Sequence, residues 1–215
     1  MDPVIALLLK LLASYLIGSV VGSLLIGRLR GVDIRQLGSG NAGATNALRT
    51  QGKAFAIGTA LIDVLKGVLA ALLIAPLGGV GAGGLGLPET QLACGIAAAL
   101  GHCYPLFHGF RGGKGAGTLF GALLALFPWA GLAVLGLWAL VLMSTGYVGL
   151  GTVIAGLAFA PVLWLLYTPG STLLLLAVGA GLLLTYTHRS NLARVWAGNE
   201  HRFERARVLG RWLGR

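Results

Sequence analysis

The chain has 215 residues, of which 56% are hydrophobic and only 10% charged, whereas soluble domains carry roughly a quarter charged residues. That composition excludes an ordinary water-soluble domain, and the formal net charge of +10 has no soluble basic module on which a nucleic-acid interface could be built. Glycine supplies 36 residues without a collagen period, and small residues in apolar helices mean close packing.

Apolar runs long enough to approach the ~20 residues of a membrane span predict an all-α, polytopic integral membrane bundle. The spans are 4–27, 54–77, 92–107, 148–166 and 171–187, with a further uncharged stretch over 116–143. The first run is too long for a signal-peptide core, contains Lys10 and lacks a cleavage site. Ser14, Gly18 and Gly22 recur along it every four residues, a small-residue stripe for a neighbouring helix. No polar linker divides the sequence, so residues 1–215 read as one domain.

Basic residues orient the spans. Arg28, Arg30, Arg35, Arg49 and Lys53 follow the first, Arg111 and Lys114 follow the third, and seven arginines lie between Arg189 and Arg215. All three regions are expected on the cytoplasmic side, and Gly78 to Gln91, which lacks Lys and Arg, on the other. An even number of crossings between Lys114 and Arg189 then requires 116–143 to split at Phe127-Pro128. The result is about seven spans, the two halves of 116–143 being either short spans or a re-entrant pair, with residues 144–148 and the C-terminus cytoplasmic and the N-terminus outside. Cys94 and Cys103 lack any metal or redox spacing and read as packing residues. No metal, cofactor, nucleic acid or obligate protein partner is implied.

Three polar constellations interrupt the apolar pattern. The first is GSGNAGATNALR at 38–49. Its GxGxxG follows a membrane helix rather than a strand and so does not read as a dinucleotide fingerprint. Gly40 and its fellow glycines expose backbone N–H groups, Ser39, Asn41, Thr45 and Asn46 add neutral donors, and Arg49 adds a fixed cation, the parts of a phosphate cradle. The second runs from Gly101 through Gly117 and ends in GGKG. It fails as a Walker A loop, because His108 and Gly115 stand where glycine and a hydroxyl residue belong. Gly112, Gly113 and Lys114 instead precede a new helix, a setting that favours an anion. The third is HRSNLAR from His188, followed by GNE. His188 and Asn191, three apart, share one face of a helix and can serve a hydroxyl nucleophile as base and orienter.

In order, spacing and membrane placement these loops resemble the bacterial membrane acyltransferases that use acyl phosphate to acylate glycerol 3-phosphate, over nearly the whole chain. The resemblance implies a multi-pass enzyme of the bacterial cytoplasmic membrane with its site facing the cytoplasm. It would transfer a fatty acyl group from acyl phosphate to the glycerol 3-phosphate hydroxyl, giving lysophosphatidic acid and inorganic phosphate at the first step of phospholipid biosynthesis. Lys114, His188 and Asn191 carry over as catalytic candidates, and Ser39, Gly40, Asn41, Thr45, Asn46, Arg49, Gly112, Gly113 and Lys114 as phosphate contacts. Where that family often has a basic residue before an aromatic-x-Ser-Leu-x-Ser stretch, this chain has Gly146 before Tyr147, with Gly149 and Thr152 at the serine positions. Thr152 keeps one hydroxyl for phosphate. No Ser-His-Asp triad or His-x4-Asp motif is present, so either His188 or a substrate phosphate takes the hydroxyl proton. The alternative function is a small transporter or channel for a phosphorylated solute, with Asp63 and Lys66 along its path. The same two residues, three apart, can instead neutralise each other on one helix face.

Overall fold

The computed structural model describes residues 2–78 and 83–212. It is helical throughout its regular elements, and the chain packs as two compact units, residues 1–126 and 127–215.

In the first unit, α1 spans Pro3–Gly18. The Asp2 side chain caps it, accepting from the amides of Val4 at 2.7 Å and Ile5 at 3.2 Å, and Pro3 stands at the first helical position where its missing N–H costs nothing. The single first helix expected over 4–27 is broken: α2 spans Gly22–Leu29 and is bent by 42° from α1. The small-residue stripe consequently divides. A Cβ on Gly18 would overlap the carbonyl of Ala98, whereas one on Gly22 would press on Thr59, so the two glycines serve different neighbours.

The next helices are α3 (Ala44–Gln51) and α4 (Lys53–Leu69), the latter continuing through a π-helical turn, Ala70–Ile74. Then come α5 (Leu87–Cys103) and α6 (Ala116–Leu126). Residues 104–107, expected at the end of the third span, leave the helix because Pro105 disfavours helical geometry at Tyr104, whose φ and ψ are −125° and 65°. Helix α1 packs on α5, α2 and α3 pack on α4, and α6 packs on both α4 and α5. Glycines set the α4–α6 distance: a Cβ on Gly67 would overlap the Thr118 carbonyl, and one on Gly121 the Val64 carbonyl.

The second unit contains α7 (Pro128–Thr145), α8 (Val148–Tyr167), α9 (Ser171–Thr187), α10 (Arg189–Trp196) and α11 (Val208–Trp212). The expected break at Phe127-Pro128 is present, with Pro128 opening α7. Helix α8 packs on α7 and α9, α10 touches α8 and α9, and α11 lies on α7. Among the described residues, Lys53–Ile74, Pro128–Thr145 and Val148–Tyr167 are each long and apolar enough to cross a membrane, and counting each of the bent pairs α1–α2 and α9–α10 as one span raises that number to 5. Helix α6, with 11 residues, rises only about 16 Å at the usual ~1.5 Å per residue.

Candidate active site

The first polar loop is shaped from within. Asn46 is buried, its Nδ2 donates to the carbonyls of Ile34 and Leu37 at 3.0 Å each, and its Oδ1 accepts the Ser39 amide at 3.0 Å. Asn46 therefore differs from its expected role as a phosphate contact: both amide hydrogens are spent holding the loop. Ser23 adds a strut from α2, its hydroxyl donating to the Ala42 carbonyl at 2.6 Å. This scaffold leaves Ser39 and Gly40 exposed and Asn41, Thr45 and Arg49 half-buried, with Arg49 on the last turn of α3.

Arg35 joins this loop to the second. Its guanidinium is held by Asp33, with Nη2 2.7 Å from Oδ2, and its Nη1 donates to the carbonyls of His108 at 3.0 Å and Arg111 at 2.9 Å. The hydrogen bond from Arg35 holds the Asp33 carboxyl below the usual carboxylate range, and the Arg35 pKa rises correspondingly. Partial burial, reinforced by the neighbouring Arg35 cation, lowers the His108 pKa and favours the neutral imidazole. Arg35 was legible in sequence only as a topogenic charge, because the carbonyls it bonds in the second loop lie more than seventy positions away.

Gly112 and Gly113 sit directly on the end of α5. Their amides donate to the carbonyls of Cys103 at 3.1 Å and His102 at 3.0 Å. Side chains are excluded at both positions, since a Cβ on Gly112 would overlap the His102 carbonyl and one on Gly113 the His102 ring. Lys114 follows, half-buried, two residues before α6 begins at Ala116. Asp63 and Lys66 pair on one face of α4, as their spacing predicts, with Nζ 3.0 Å from Oδ1.

In the second unit His188 lies at the junction of α9 and α10, which are bent by 56°. His188 and Asn191 are thus not on one continuous helix face as expected: His188 caps α10, and its carbonyl accepts the Asn191 amide at 2.9 Å. The buried His188 imidazole places Nδ1 2.8 Å from the Leu184 carbonyl. A carbonyl only accepts, so Nδ1 carries the hydrogen and Nε2 is the basic nitrogen. Asn191 is steadied by Glu200, whose buried carboxylate accepts Nδ2 at 2.7 Å and the Nε of Arg194 at 2.6 Å. That contact explains why GNE follows HRSNLAR.

The loop before α8 is also rebuilt. Gly146 ends α7 in the left-handed conformation, φ 79°, which suits glycine and strains a basic side chain. Its carbonyl accepts the Phe203 amide at 2.9 Å, and the adjoining Arg202 donates from Nε to the Tyr147 hydroxyl at 2.7 Å, with its guanidinium 4.9 Å from that ring. A Cβ on Gly149 would lie 2.7 Å from the Cβ of Asn191, so glycine allows α8 and α10 to approach. Thr152, expected as a phosphate donor, is buried and spends its hydroxyl hydrogen on the Val148 carbonyl at 3.0 Å. One hydroxyl has one hydrogen to give, which removes Thr152 from the donor set.

A family model described as glycerol-3-phosphate acyltransferase matches residues 8–198. The glycerol-3-phosphate acyltransferase 1 of Deinococcus radiodurans is 41% identical over 199 residues, covering 91% of this chain and 94% of its own. That of Synechococcus sp. (strain CC9902) is 42% identical over 197 residues, with 91% and 94% covered. Among solved structures, the glycerol 3-phosphate form of PlsY (YgiH), an integral membrane glycerol 3-phosphate acyltransferase, superposes with a TM-score of 0.82 at 35% identity, over 92% of this chain and 95% of that one. Its lysophosphatidic acid form gives 0.82 at 34% identity, over 94% and 98%.

Proposed function

The chain belongs to the glycerol-3-phosphate acyltransferase family, and from that premise we propose that its acyl donor is an acyl phosphate and that its site faces the cytoplasm. The protein is an integral membrane enzyme that acylates glycerol 3-phosphate to lysophosphatidic acid. The observation that carries the donor assignment is the pair of glycine-rich, cationic loops tied together by Arg35, a provision for two phosphorylated substrates rather than one.

An acyl phosphate is already activated, so the enzyme has chiefly to hold two anions, align hydroxyl with carbonyl and stabilise the developing oxyanion. Ser39, Asn41, Thr45 and Arg49 would bind one phosphate, while Gly40, expected as a contact, spends its amide on the Leu37 carbonyl at 3.0 Å and shapes the turn. Lys114 would follow the other as inorganic phosphate departs, while Gly112 and Gly113, expected as phosphate contacts, spend their amides on the Cys103 and His102 carbonyls and shape the loop that carries it. The glycerol hydroxyl attacks the acyl carbon, the acyl–phosphate bond breaks, and the hydroxyl proton passes to His188 Nε2 or to a substrate phosphate. Asn191, steadied by Glu200, would orient the nucleophile. The family match over residues 8–198 runs through both units, which supports reading residues 1–215 as one acyltransferase domain.

Purified protein in lipid, given acyl phosphate and glycerol 3-phosphate, should release phosphate in step with lysophosphatidic acid. Turnover with an acyl thioester and none with acyl phosphate would overturn the donor. Flux of phosphorylated solute without turnover would overturn the enzyme in favour of a transporter.

A further inference from the structure

Three ionisable side chains are buried together in the first unit, outside the loops that carry the phosphate contacts. Asp63 and Lys66 on α4 and His102 on α5 are exposed by only 4%, 3% and 4%. Lys66 Nζ lies 3.0 Å from Asp63 Oδ1 and 2.8 Å from His102 Nδ1, which is itself 3.3 Å from Asp63 Oδ1. The same groups close the break between α1 and α2. Lys66 Nζ donates to the carbonyls of Gly18 at 2.9 Å and Val20 at 3.0 Å, and Asp63 Oδ1 accepts the Gly22 amide at 3.1 Å. An interrupted helix at membrane depth leaves backbone groups that no water satisfies, and the ion pair supplies partners of both signs.

That accounts for Asp63 and Lys66 but not for His102, which also lies against the glycine loop. His102 Nδ1 faces both Lys66 Nζ and Asp63 Oδ1, so the ion pair pins the inner edge of the ring. The Nε2 edge occupies the space in which a side chain at Gly113 would begin, and the His102 carbonyl holds the Gly113 amide. Ring and backbone of one residue therefore grip the loop immediately before Lys114.

We propose that His102, clamped by Asp63 and Lys66, is a positioning residue that sets Lys114 for the departing phosphate. The inference rests on the phosphate reading of the GGKG loop. Through this network the break in α1–α2, the face of α4 and the glycine loop share one set of hydrogen bonds. Displacing the ring moves Lys114 while leaving the Arg49 loop in place.

The test is a kinetic cycle on the whole protein in lipid, with thermal unfolding of each variant as the folding control. Lys114→Ala alone should lower kcat, and its failure to do so would sink the reading of the loop. His102→Ala should lower kcat by about 10–100-fold, the scale of a small misplacement of a catalytic group, with KM for both substrates within about twofold. The double variant His102→Ala/Lys114→Ala should be no slower than Lys114→Ala, because His102 acts through the lysine. His102→Gln, which keeps a polar group against the Asp63–Lys66 pair, should recover part of the loss. Multiplied defects in the double variant, or wild-type kcat in His102→Ala, would overturn the positioning role while leaving Lys114 in place. If His102→Ala does not fold, His102→Gln enters the same cycle: non-additivity with Lys114→Ala supports the role and multiplication overturns it.

Discussion

Arg49 and Lys114 bear the same charge in different forms, a planar fork and a compact mobile point. Arg49→Lys is therefore expected to raise KM for one phosphorylated substrate with kcat largely kept, whereas Lys114→Ala should lower kcat. Steady-state kinetics on folded protein distinguish the two, and near-wild-type behaviour of both variants would remove the cradle. His188 presents a sharper alternative because its Nδ1 hydrogen is committed to the Leu184 carbonyl. If Nε2 accepts the hydroxyl proton, His188→Ala loses about 10²–10⁴-fold in rate, and a smaller defect, chiefly in glycerol 3-phosphate binding, assigns the proton to a substrate phosphate. Asp33 gives a pH signature in stability. Its carboxyl is held below the usual range by Arg35, so its contribution is complete above the unfolded value of about 3.9 and is lost as pH falls through the lower folded value. The gap in melting temperature between wild type and Asp33→Asn should be constant from pH 5 to 8 in order of magnitude and close only in stronger acid.

At the scale of elements, some helix ends were legible from local signals, although the stop that Pro105 imposes on α5 was passed over, and ends set by distant residues were not. Pro128 opens α7, and the apolar runs locate α8 and α9 almost residue for residue. The interruption between Gly18 and Gly22 has no local signal, because its partners Asp63 and Lys66 arrive more than forty positions later. The bend at His188 is likewise hidden in a segment that reads as continuous helix. Among site residues, the donor-rich loops were visible as composition, but the division between residues that face a ligand and those that build the loop was not. Asn46 looks like Asn41 in sequence and differs only in where its amide ends up. Close approach of α1 and α5 yields a prediction of its own: Gly18→Val would drive a side chain into the Ala98 carbonyl, and overpacking of this kind costs about 1–3 kcal/mol. The melting temperature in detergent should fall, and Gly179→Ala, where nothing lies within 4 Å, should leave it nearly unchanged.

For the whole molecule, the distribution of arginine and lysine sets the expected orientation. Cysteines introduced at positions 84 and 146 in a Cys-free background should label from outside at 84 and resist at 146. The opposite pattern would overturn the seven-span topology and with it the cytoplasmic site. The stapled break between α1 and α2 also bears on how the chain enters the bilayer. Translation delivers Gly18 and Val20 first, Lys66 next and His102 last, so the first hydrophobic segment reaches hydrocarbon before the donor for its bare carbonyls has been made. Each such group costs several kcal/mol in lipid, and Lys66 is itself expensive to insert alone. Release from the insertion machinery is therefore favoured once α1, α2 and α4 leave together as an assembled group, with the biosynthetic delay between them spent at a protein-lined exit rather than among lipid tails.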